Sequence, residues 1–296
     1  MPYSLLSYPK PLFFRREAVF LGVFQSLWGG GRDWRSRHGE PKNRRQLFLA
    51  VLSDQFFSLM PVNLLFIAFY IPAVLLSVYC LLGIAAAAEG GAAQETIGYM
   101  NLWVLGMVPC ITLTGPARAG MALLMRNWAR EQYTPPFRTF FRGLRDNWKQ
   151  SAAVSFATGV VPAGLWYCYL VSSGNGTLET MRVLMLLAAI AYAVWLLALQ
   201  SAYTLMVTYE LPLRQQLRNA LLLTLMKLPT AALIFLSSSF FLLLYAAFVV
   251  LRPEMRYSLL IVPGLYYLFI GGSMTQLIFA SYANMLCDKY LSSKDA

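Results

Sequence analysis

Residues 183–209 read VLMLLAAIAYAVWLLALQSAYTLMVTY, 27 consecutive positions without an Asp, Glu, Lys or Arg. An ionised side chain at the centre of a bilayer costs several kcal/mol, so a run this long marks a membrane crossing. Five more charge-free intervals flank it: Gln55–Ala88 with 34 residues, Thr96–Ala117 with 22, Gln150–Leu178 with 29, Leu228–Leu251 with 24 and Tyr257–Cys287 with 31. Each meets the roughly 20 residues that a helix needs to cross about 30 Å of hydrocarbon. The intervals are continuous apolar blocks, whereas barrel strands would alternate in short stretches. The pattern predicts an all-α, polytopic helical membrane bundle with six transmembrane helices. Composition agrees, since 58% of residues are apolar and 12% charged, more hydrocarbon than one soluble core could hide.

The net charge of +11 would suggest nucleic acid for a soluble chain. In a membrane protein the position of the cations decides, because short loops rich in Lys and Arg stay cytoplasmic. Of the 24 cations, 21 lie in the N-terminal segment, the second and fourth connections and the C-terminal tail. The other three are Arg182, Arg252 and Arg256. Both termini are therefore expected inside, with no nucleic-acid partner.

At the start of the chain, Lys10, Arg15 and Arg16 precede an apolar run from Ala18 to Gly31 that is too short to span and carries no cleavage signature. Leu12, Phe13, Phe20, Phe24 and Trp28 beside those cations fit an interfacial helix. Trp28 to Arg45, with Gly29, Gly30, Gly31 and Pro41, reads as a flexible linker. The expected organisation is thus residues 1–45 as interfacial helix and linker, and 46–296 as the six-span membrane domain.

The second connection is the most informative cytoplasmic stretch. After Thr134, Pro135 and Pro136, the residues Phe137, Phe140, Phe141, Leu144 and Trp148 recur at three- and four-residue steps. Arg138, Arg142, Arg145 and Lys149 interleave with them, which predicts a basic amphipathic helix flat against lipid headgroups, anionic ones above all. A shorter echo, Leu213, Arg214, Leu217, Arg218 and Asn219, precedes the fifth span and raises an internal duplication beside plain coincidence.

Thr114-Gly115-Pro116-Ala117-Arg118-Ala119-Gly120, then Arg126-Asn127-Trp128, Phe137, Phe140, Phe141 and Asn147-Trp148-Lys149-Gln150-Ser151, resemble the YesL-like family of bacterial integral membrane proteins, a domain family of unknown function. The resemblance covers about Gln46 to Tyr209. It implies a bacterial plasma-membrane location and a loose link to carbohydrate uptake or utilisation, with subunits of an ABC-type sugar importer as conceivable partners. Two stretches, Asn63-Leu64-Leu65 with Pro72 and Asn101-Leu102-Trp103 with Pro109, compete for one place in that family's pattern.

Several residues carry two readings each. Pro116 should kink or break span two, either as a transporter-like discontinuity or as the ordinary kink of a membrane helix. Arg118 either snorkels to the headgroups or faces the bundle and pairs with an acid such as Asp54, Asp146 or Glu210. Gln200 and Gln276 are either interhelical hydrogen-bonding glue or contacts to a solute, and Gly159, Gly271 and Gly272 suit close helix packing. A wet cavity lined by Arg118, Gln200 and Gln276 would favour solute handling, and a dry centre would favour an interaction role.

Chemistry has little to work with. The sole histidine, His38, lies in the linker, and Cys80, Cys110, Cys168 and Cys287 form no paired motif. No catalytic residue, metal site or cofactor is expected, and no phosphate-binding GxxxxGK[ST] loop occurs. Two function classes follow. One is a transport-associated membrane component. The other is an interaction, assembly or regulatory protein that docks a partner or anionic lipid through its basic helices.

Overall fold

The computed structural model describes residues 44–130, 132, 134–174, 178–252 and 256–290. The expected interfacial helix and most of the linker fall outside the described residues. Helices α1 (Arg44–Ala68), α2 (Ile71–Glu89) and α3 (Ala93–Ala129) come first. Next are α4 (Pro136–Asp146), α5 (Trp148–Gly174), α6 (Leu178–Met206), α7 (Leu213–Met226) and α8 (Leu228–Ser238). Then follow α9 (Phe240–Leu251), α10 (Arg256–Leu259), α11 (Ile261–Tyr266), a π-helical turn (Tyr267–Gly271) and α12 (Gly272–Tyr290). The described residues contain helices and no strand.

Six helical stretches are long and apolar enough to cross a membrane: α1 from Gln46, α2, α3, α5, α6 from Met181, and α11 through α12. Their number matches the six charge-free intervals, but their membership differs. The interval Gln55–Ala88 holds a break at Phe69 and Tyr70 between α1 and α2. The interval Leu228–Leu251 is two short helices, α8 and α9, broken at Ser239.

Helices α1 and α2 are each long and apolar enough to cross alone, whereas α8 and α9 are short, with 11 and 12 residues. Helix α2 runs antiparallel to the first half of α3, where a Cβ on Gly83 would meet the Tyr99 ring and one on Gly106 would meet Leu76. Helix α1 instead packs through Leu59, Val62 and Phe66 around Ala117, Met121 and Leu124 in the second half of α3. The two helices therefore stand in tandem along α3, whose 37 residues reach about 55 Å. Helices α8 and α9 likewise follow one another, α8 against Gln200 of α6 and α9 against Tyr266. Helix α1 packs against α12, with Leu59 and Val62 in one apolar cluster with Leu277 and Ala280.

Irregular backbone away from water must find internal partners, and side chains supply them here. The Asn63 amide donates to the carbonyls of Tyr267 and Leu268 at 2.9 Å each, and its oxygen accepts from the Ser273 N–H at 2.8 Å. Asn63 is fully buried. At the other break, the Tyr267 hydroxyl donates to the Ser238 carbonyl at 3.3 Å.

Indole donors tie the passages sideways. Trp103 bonds Ser77 at 3.1 Å, Trp166 bonds Asn101 at 2.8 Å, and Trp195 bonds Thr158 at 2.9 Å. Trp103 and Trp166 thus join helices to one another. Gly159 meets the expectation of close packing, since a Cβ there would stand 3.2 Å from the Val108 Cα.

Candidate functional site

The sequence motif around Thr114 to Gly120 lies in the middle of α3, which continues unbroken through Pro109 and Pro116. The discontinuity expected at Pro116 falls instead at Phe69 and Tyr70 of the neighbouring passage. Within the motif, the Thr114 hydroxyl donates back to the Ile111 carbonyl at 2.8 Å. Gly115 is where α5 crosses, for a Cβ would lie 2.7 Å from the Ser155 hydroxyl and closer still to the Ser151 carbonyl.

Arg118 sits one turn further on, half-buried. Its Nε donates to the Tyr70 hydroxyl at 3.0 Å, at the α1/α2 break, and the Tyr203 hydroxyl of α6 lies near enough to interact with its charge. Tyr203 in turn shares a 2.7 Å hydrogen bond with Ser155 of α5. The guanidinium is thus bound at the α1/α2 break and lies beside the Tyr203–Ser155 pair that joins α6 to α5. The acids Asp54, Asp146 and Glu210, expected as partners, are not among the groups that meet it, so phenols take the place of a carboxylate.

Gln200 and Gln276 do not join Arg118. Gln200 is buried and donates to the Ala231 carbonyl at 3.2 Å, fastening α6 to α8. That is the packing reading of this residue. Gln276 is half-buried on α12, with no hydrogen-bond partner among the described residues.

Gly120 and the basic helix form the second feature. A Cβ on Gly120 would fall 2.5 Å from the Phe140 carbonyl oxygen, and one on Gly143 would fall 3.0 Å from the Gly120 Cα. The two glycines let α4 cross α3 at backbone contact. Phe140, fully buried, fills the corner beside Met121 and Phe69. The apolar face expected on lipid therefore packs partly on protein, through Thr139, Phe140 and Gly143. Arg138, Arg142, Arg145 and Lys149 point outward, and Phe141 and Trp148 remain 50% and 53% exposed among them.

Asn147 caps α4. Its amide donates to the Gly143 carbonyl at 3.2 Å, while its own carbonyl accepts from the Ser151 N–H and hydroxyl that open α5. Asn127, buried near the end of α3, accepts from Arg126 Nη1 at 3.3 Å, and its carbonyl accepts from the Gln132 N–H. The echo also has a structural counterpart. Pro212 precedes α7 as Pro135 precedes α4, with Arg214 and Arg218 exposed as Arg138 and Arg142 are. Helix α7 then turns by 95° into α8.

Asn63, Tyr70, Tyr203 and Ser155 were not legible as site residues. Asn63 alone left a signal, being an amide within an apolar interval. Among the described residues no group of His, Cys, Asp and Glu could hold a metal ion, and no disulfide joins the four cysteines.

Fold and site together define the class: an all-α membrane-type bundle whose middle carries a hydroxyl-bound arginine and whose basic end carries a rigidly held helix. A family model described as "Protein of unknown function, DUF624" matches residues 59–168, from α1 to α5. That stretch contains Asn63, Tyr70, Gly115, Arg118, Gly120, α4 and Ser155. No curated protein and no solved structure matches the chain.

Proposed function

We propose that this chain is a non-catalytic, multi-pass membrane protein that acts as an interaction, assembly or regulatory component, docking a partner or anionic lipid through the outward cations of α4 and α7. One observation carries the reading: α4 is fixed to α3 by Gly120, Gly143 and Phe140 while its cations face outward. A helix needed only for packing gains nothing from such a stripe, whereas a docking surface requires it to be held at a set angle. In this reading both termini and α4 face the cytoplasm of a bacterium, at the plasma membrane. The test replaces Arg138, Arg142 and Arg145 together by Gln and isolates the protein in mild detergent. Loss of co-purifying proteins or anionic lipid at unchanged protein level is expected, and unchanged recovery of both sinks the reading.

A second reading rests on the YesL-like resemblance and on the polar cluster at Arg118. It makes the chain a transport-associated component of carbohydrate uptake or utilisation, with subunits of an ABC-type sugar importer as partners. Its expected outcome is that Arg118→Ala abolishes sugar-dependent growth. Normal growth with intact protein level counts against it.

A further inference from the structure

We infer that Arg118, Tyr70, Tyr203 and Ser155 form a binding site for the anionic oxygens of a phosphate ester. The first ground is charge. The groups that meet Arg118 among the described residues are tyrosines, and no carboxylate is among them. Leaving an ion uncompensated away from water is strongly unfavourable, and an anion there removes the penalty.

The second ground is a surplus of donors. A guanidinium has five N–H groups and no acceptor. Tyr70 accepts from Arg118, which leaves its own O–H free to donate. Tyr203 and Ser155 share one hydrogen bond, so one of those hydroxyls also keeps a hydrogen. These donors come from the α1/α2 break, α5 and α6 around a planar fork on α3. Such a spread suits a tetrahedral oxyanion better than a flat carboxylate.

The third ground is depth. Arg118 lies roughly 35 Å along α3 from Glu95, about one hydrocarbon thickness plus the start of the headgroup layer. At that level the ester arrives either as the headgroup of an anionic phospholipid or as a soluble molecule. Arg118 keeps part of its surface exposed, whereas Tyr203 and Ser155 are buried.

The experiment follows thermal unfolding of the full chain in mild detergent, with two probes. One arm adds glycerol 1-phosphate, and the other adds phosphatidylglycerol to the micelles against an equal amount of phosphatidylcholine. Ligand that binds only the folded state raises the unfolding midpoint with concentration. A saturable rise in either arm that is lost in Arg118→Gln supports the site and identifies the source. Tyr70→Phe keeps the packing and removes one donor, and it should weaken the response about ten-fold, as loss of a hydrogen bond to a charged group does. If Arg118→Gln does not fold, Tyr70→Phe decides. A wild type that responds in neither arm overturns the proposal, as does a response of equal strength in the folded variants.

Discussion

Asn63 hydrogen-bonds three backbone groups in and just after the π-helical turn, and it does so from α1. Asn63→Ala should therefore cost about 2–3 kcal/mol, roughly 1 kcal/mol for each interhelical bond in a membrane protein. Asn63→Asp should cost more, since an acceptor would face two carbonyls. Equilibrium unfolding in mixed micelles measures both, and a wild-type midpoint for Asn63→Ala removes the residue from this role. The sequence shows that such an amide needs a partner, but not which one, because Tyr267 is more than 200 positions away. Arg118 teaches the same lesson. Its position in an apolar motif was visible, whereas its phenol partners come from distant segments rather than from an acid.

Among the elements, α4 depends on two glycines that have no slack. Gly120→Ala should destabilise by about 1–3 kcal/mol, the usual cost of overpacking, and should loosen α4 from α3. Gly98→Ala in the same helix meets open space and should be neutral or stabilise by up to about 1 kcal/mol. Thermal unfolding separates the two, and protease cutting between Arg138 and Lys149 should rise only in Gly120→Ala. Equal behaviour of the variants would refute the close crossing. The amphipathic repeat from Phe137 to Trp148 made α4 legible as a helix. Its docking face was not legible, because period alone does not distinguish Phe140, which enters the protein, from Phe141, which does not. The breaks at Tyr70 and Ser239 were hidden for a related reason. Charge-free length reports a passage through hydrocarbon, and it is blind to whether one helix or two complete it.

At the scale of the whole molecule, charge avoidance made the six passages and the gathering of both described chain ends at the basic end readable. Tandem stacking of α1 and α2 along α3 predicts that the two complete one crossing, although each is long and apolar enough to cross alone. Cysteines placed at Gln46, at the start of α1, and at Ala92, after α2, should react with a membrane-impermeant thiol reagent from opposite sides of a sealed vesicle. Labelling of both from one side would show that α1 and α2 each cross. The five-residue π-helical turn between α11 and α12 adds a condition of its own. Relative to an α-helix such a turn carries one surplus residue, and each residue advances the phase by about 100°. Deleting Phe269, which is largely exposed, should let the segment wind evenly while swinging Leu277 and Ala280 off the face they share with α1 and α3. The surplus residue acts as a phase corrector: a chain shortened by one position there should be less stable than Phe269→Ala, although its helix would be more regular.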